Sequence, residues 1–139
     1  MAKKRRATDE QEEESNAAPV ADVSSVRLLV DKDENCPFQQ WFRSLRDAAA
    51  KARILSRLAR IVNGGNFGDH RERIKGAVSE LRVDYGPGYR IYYAKIGDVI
   101  VVLLGGGTKD TQQADIEIAF ALWEGNKNED DRFSAVFGG

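Results

Sequence analysis

The stretch from Glu80 to Gln112, ELRVDYGPGYRIYYAKIGDVIVVLLGGGTKDTQ, constrains the fold more than any other part of the chain. Runs rich in β-branched and aromatic residues are broken by Gly86-Pro87-Gly88 and by Gly97-Asp98. Glycine and aspartate at such breaks favour tight reversals, so the chain is expected to double back twice as antiparallel strands. The strands are expected over roughly 76–84, 89–96 and 99–104. A two-residue turn at Gly97-Asp98 pairs Ile96 with Val99, Tyr93 with Val102, Ile91 with Leu104 and Arg90 with Gly105. Side chains alternate across a strand, so Ile91, Tyr93, Val102 and Leu104 share an apolar face. A three-residue loop at Gly86–Gly88 keeps Leu81 and Val83 on that same face and sets Arg82 opposite Tyr92. Arg82, Arg90 and Tyr92 then gather on an uncovered face, with Gly105 leaving space beside Arg90.

Upstream, SVRLLVD reads as a first strand, and Pro37 suits the first turn of a helix. Trp41, Phe42, Leu45, Ala49, Ala52, Leu55, Leu58 and Ile61 recur at three- and four-residue steps, which is the helical period. A break near Arg46-Asp47 divides the segment into two helices, and NGGNFGD ends the second. Ile116, Ala119, Phe120 and Trp123 mark a last helix from Thr111 to Glu124. The expected fold is α+β: an N-terminal strand and helix pair, an antiparallel sheet and a C-terminal helix, with the helices on one face of the sheet.

At 139 residues the length suits one domain. Residues 1–24 contain no aromatic side chain and are expected to form a disordered extension. The domain is expected over 25–124. Residues 125–139 read as a polar tail, with Phe133, Val136 and Phe137 as a short apolar patch. No apolar run approaches the ~18 residues of a membrane span, and the N-terminus lacks the apolar stretch of a signal peptide. Cys36 is the single cysteine, so no disulfide framework is expected and the cytoplasm is the simplest compartment. The formal net charge of -1 hides an asymmetry. Residues 43–109 hold thirteen Lys and Arg against six Asp and Glu, whereas 110–139 hold two against seven. A basic centre favours a phosphate-rich or acidic partner.

An arginine among aromatic residues on a sheet face can grip a phosphate with two donors and stack on bases. The glycines 105–107 are expected to turn the chain sharply, with Lys109 at the mouth of the last helix, where anions are favoured. GGGTKDT is not a phosphate-cradling P-loop, because Thr108 precedes the lysine and the glycine spacing is missing. NGGNFGD follows a helix and does not match the dinucleotide fingerprint. With one His and one Cys, no metal site or other cofactor is expected.

Taken together, GNFGD, GPGYRIYY and LLGGGTKDTQ, in this order and spacing, resemble the RelE/ParE superfamily of bacterial toxins, in its HigB-like branch of addiction-module killer proteins. The resemblance spans about Val26 to Trp123. It implies a cytoplasmic toxin of a type II toxin–antitoxin pair, most simply a metal-independent mRNA endonuclease acting at the ribosome. It implies three partners: a cognate antitoxin of helix-turn-helix type, messenger RNA and the ribosome. DNA would be reached only through the antitoxin complex. On this resemblance Arg90, Lys109 and Tyr92 are the expected catalytic residues. Arg82, Tyr89, Arg71, Arg73, Lys75 and Gln112 are expected to bind RNA, Arg71 to Lys75 from a loop before the strands. Thr108 and Asp110 depart from the branch's usual Asp and Ser, and Thr111 and Asp115 fall near a RelE arginine and tyrosine. Those departures keep two alternatives open: a ParE-like poison that binds DNA gyrase without catalysis, and a toxin reduced to a binding protein.

Overall fold

Strand pairing organises the molecule, and two hairpins at its centre set the positions of everything else. The computed structural model describes residues 25–128 and 133–137. Its strands are β1 (Ser25–Leu29), β2 (His70–Lys75), β3 (Val78–Val83), β4 (Tyr89–Ile96), β5 (Ile100–Thr108) and β6 (Phe133–Phe137). They form one sheet in the order β2-β3-β4-β5-β1-β6. β2 to β5 are successively antiparallel, β1 lies parallel to β5, and β6 is antiparallel to β1. The sheet is therefore mixed, and the first strand is an interior one.

Both expected hairpins are present, each with a longer loop. Ile96 pairs with Ile100, so Gly97, Asp98 and Val99 all lie in the turn. Val83 pairs with Tyr89 and Arg82 with Arg90, which leaves Asp84 to Gly88 as a five-residue connection. A bulge between Tyr92 and Tyr93 shifts the β4–β5 register once more, placing Tyr92 opposite Gly105 and Arg90 opposite Gly107. The longer turn, before the bulge is reached, already moves Val102 and Leu104 to the face that carries Tyr92 and Ala94, while Val101 and Leu103 join Ile91 and Tyr93. The expected partition of β5 was thus inverted. In a strand where Val101 to Leu104 are all buried, alternation gives no clue to which residue faces which layer.

Helices cover both faces, not one. α1 (Pro37–Ser44) starts at its proline, and α2 (Ala48–Gly64) starts at Asp47, as the break near Arg46-Asp47 leads one to expect. The Asp47 Oδ1 accepts from the Ala49 and Ala50 N–H groups at 2.9 and 3.2 Å, satisfying donors that have no partner within the helix. Ala50, Ile54, Leu58 and Ile61 bury one stripe of α2 against Leu81, Ile91, Tyr93 and Leu103. α3 (Gln112–Asn126) packs Ala119 and Trp123 on the opposite face, over Tyr92, Ala94, Val102 and Leu104. A sheet apolar on both sides requires two covering layers, and α3 supplies the second. β2 and β6 were both absent from the sequence reading, which took 70–75 for a loop and 125–139 for a tail. The proposed extension 1–24 lies outside the described residues. Among the described residues, no helix is long and apolar enough to cross a membrane.

Candidate anion-binding site

Directly opposed residues of antiparallel strands project to the same side, so the ladder shows which residues share a face. Arg71 opposes Glu80, Glu80 opposes Tyr92, and one step along Arg82 opposes Arg90. This group lies on the α3 face, at the end of the sheet where that helix begins. Glu80 is fully buried at its centre. Its Oε1 accepts from the Gln112 side-chain amide at 2.7 Å and lies 3.5 Å from Arg90 Nε, while its Oε2 lies 3.6 Å from Arg82 Nε. A buried carboxylate is tolerated only when paired, and here two guanidinium groups and an amide share the task. Within ion-pair distance, Glu80 sets one negative charge against two positive ones. The carboxylate meets both arginines on their Nε edge, which leaves most of each guanidinium fork for other acceptors.

Arg90 reaches from this cluster toward the β3–β4 connection, where its Nη1 donates to the Tyr89 carbonyl at 3.2 Å. Its side chain is 12% exposed, against 32% for Arg82. Gly88 holds φ 81°, a conformation that side chains disfavour. A β-carbon there would also touch Arg90 Nη1 at 3.6 Å and the Lys109 Cβ at 3.5 Å. The Lys109 backbone N–H donates to the Gly88 carbonyl at 2.8 Å, so the exposed lysine is fixed beside Arg90. The glycine run has another role than the expected turn. β5 continues straight through it to Thr108. A β-carbon at Gly106 would run into the Trp41 indole, and one at Gly107 into the Asp115 carboxylate. These glycines let α1 and the start of α3 approach the strand from opposite sides. Asp115 there accepts from the Thr111 hydroxyl at 2.5 Å.

The structure brings Arg82, Arg90, Lys109 and Gln112 together, and separates the rest. Tyr92 shares the cluster's face but is fully buried beneath α3, and its hydroxyl has no hydrogen-bond partner among the described residues. Burial first, then the charges of Glu80 and Asp115, push its pKa well above the ordinary tyrosine value. A phenol so placed neither meets a substrate nor yields its proton near neutrality, so the expected catalytic role is not available to Tyr92. Tyr89 lies on the other face, buried in the core with its ring 6.3 Å from that of Trp41, where no base can stack on it. Arg71 and Arg73 are exposed on β2, an edge strand and not a loop, with Arg73 at φ 53° in its bulge. Lys75 pairs with Glu117 at 3.2 Å and lies over Phe120, anchoring α3. Gln112 turns inward to Glu80 and is not directed at a ligand. His70 sits on the α2 side beside Phe67.

Glu80, which the sequence reading did not single out, is the hub. Its position in the alternating run E-L-R-V assigns it to the face of Arg82, and burial of that face by α3 makes it the keystone. Chemically the cluster can bind and orient an anion through Arg90, Lys109 and Arg82.

No protein-family model matches the chain. A protein of Haemophilus influenzae described as uncharacterized is 43% identical to it over 85 residues, which cover 61% of this chain and 84% of that protein.

Proposed function

We propose, from the premise that this chain belongs to the same family as the uncharacterized protein of Haemophilus influenzae, that it is a HigB-like toxin of the RelE/ParE type. In this reading it acts in the cytoplasm, cleaves messenger RNA at the ribosome, and is silenced by a cognate antitoxin. The observation that carries the proposal is the pairing of Arg90 with Lys109 across Gly88, backed by Arg82 through the shared Glu80. Arg90 and Lys109 hold the non-bridging oxygens of one phosphodiester and stabilise the charge that builds as the ribose 2′-hydroxyl attacks phosphorus. The bond to the 5′ oxygen then breaks, and that oxygen must gain a proton while the 2′-hydroxyl loses one. No histidine lies in the cluster and Tyr92 is withdrawn, so neither moves these protons, and in this reading groups of the RNA or the ribosome do. That division of labour favours an enzyme that works on ribosome-bound RNA.

A second reading is favoured by the same withdrawal of Tyr92: a ParE-like protein that poisons gyrase by binding, with the arginine cluster as a contact surface. Primer extension on cellular mRNA after induction separates the two. New 5′ ends are expected with the wild-type protein and not with Arg90→Ala, and in a cell-free reaction only when ribosomes are supplied. Growth arrest without new RNA ends, accompanied by loss of DNA supercoiling, would establish the gyrase reading instead.

A further inference from the structure

On the opposite side of the β3–β4 connection, α2 presents Arg53, Arg57 and Arg60 along one stripe, beside the buried Ile54, Leu58 and Ile61. With Ser56, Asp84 and Tyr85 they line a groove of about 410 Å³. The three arginines divide into two kinds. Arg57 is structural: its guanidinium donates to the carbonyls of Phe67 and Asp69 at 2.8 Å and to that of Arg82, tying α2 to the loop and to β3. Burial, and secondly the charge of Arg60, lower its pKa, although a guanidinium stays charged at neutral pH. Arg53 and Arg60 are exposed, with the Arg53 Cζ over the Tyr85 ring, 4.4 Å from its centre. Among the described residues no carboxylate forms an ion pair with any of the three, whereas Arg82, Arg90, Lys75 and Lys95 each have one. Three like charges held close with one exposed Asp84 in the groove repel one another, an arrangement that a bound polyanion relieves.

Continuity identifies the polyanion. The connection 84–88 turns Tyr85 toward the α2 groove and Gly88 toward Arg90 and Lys109, and the Gly88 N–H donates to the Tyr85 carbonyl at 3.0 Å. One five-residue connection, 84–88, thus has Lys109 and Arg90 at its Gly88 end and Arg53 at its Tyr85 end. We infer that the α2 groove is a second subsite for single-stranded RNA, taking the phosphates that flank the one held by Arg90 and Lys109, with the Arg53–Tyr85 pair as a platform for a base. The inference rests on the RNA-directed reading of the first site.

The test uses the full chain and a labelled single-stranded RNA, followed by fluorescence anisotropy over a salt series. Arg53→Ala combined with Arg60→Ala spares Arg57 and keeps good helix formers, so the fold is retained. Loss of two phosphate contacts is expected to reduce the slope of log K against log salt by about 1.4 and to weaken binding at low salt at least about tenfold. Unchanged affinity and slope, with binding still lost in a Lys109→Ala variant, overturn the subsite and leave the functional reading standing. Failure of the wild-type protein to bind RNA, with groove-dependent binding of poly-glutamate, overturns the subsite and assigns the groove to an acidic protein partner, while the functional reading is decided separately by primer extension with ribosomes.

Discussion

Glu80 decides how the site is built, because a fully buried carboxylate cannot be left alone and cannot be removed without consequence. Glu80→Ala leaves two guanidinium groups without their counter-charge and the Gln112 amide without its acceptor, and is expected to cost about 3 kcal/mol in urea unfolding. Glu80→Gln keeps the shape and one acceptor, and is expected to cost less. Tyr92 behaves in the opposite way. Its hydroxyl is buried without a partner, so Tyr92→Phe is expected to leave stability unchanged or slightly raised and growth arrest intact. Loss of growth arrest in that variant would restore the tyrosine to the chemistry. Alkaline pH offers a second test. Burial holds the folded-state pKa of both Tyr92 and Tyr93 above the unfolded value. Below about pH 10 both states carry the proton and stability is unaffected. As pH rises further the unfolded chain ionises first, and stability falls by up to about 1.4 kcal/mol per pH unit for each phenol. Thermal melts from about pH 9 to 11 should show a shallower decline for Tyr92→Phe than for the parent.

At the scale of elements, the glycine run makes a graded prediction. Nothing lies within 4 Å of a β-carbon built at Gly105, so Gly105→Ala is expected to change stability by less than about 0.5 kcal/mol. Gly106→Ala drives a methyl group into the Trp41 indole that seats α1 on β5, and is expected to cost about 1–3 kcal/mol. Equal losses at the two positions in urea denaturation would contradict the packing described for α1. Much of this architecture could be read from residues. Pro37, Asp47 and the glycines after Asn63 mark the helix pair, because caps and breakers act locally. The two hairpins were likewise marked by their turn residues. Register was not readable: Val101 to Leu104 are apolar toward both layers, and the bulge at Tyr92/Tyr93 leaves no local signature. The edge strand HRERIK was hidden for the converse reason, since charge protects an exposed edge and reads as loop. The site was half visible. Arg82, Arg90 and Lys109 were named correctly as neighbours, but the covering helix that withdraws Tyr92 follows from long-range packing and not from the strand's own pattern.

For the whole molecule, the basic centre is the dominant electrostatic feature: residues 43–109 carry a net +7 while 110–139 carry -5. If an acidic antitoxin segment covers the arginine-bearing surface, its association rate should fall steeply with salt, and charge reversal at the exposed Arg71 and Arg73 should slow it further. Stopped-flow mixing with the antitoxin measures this, and a salt-independent rate would point to apolar docking instead. The placement of β1 has a consequence in time. Ser25 to Leu28 pair with Ile100 to Leu103 on one side, and β1 meets residues 133–137 on the other. β1, made before the strands that flank it, is therefore among the last to acquire neighbours. Closing so long a loop is entropically costly and slows folding relative to the local hairpins. Translation at about 5–20 residues per second leaves β1 unpaired for several seconds, until the second half of the domain has been made. A partly synthesised chain thus has no continuous sheet on which α1, α2 and α3 can converge. Whatever the finished protein grips, the growing one cannot hold until β1 has found its neighbours.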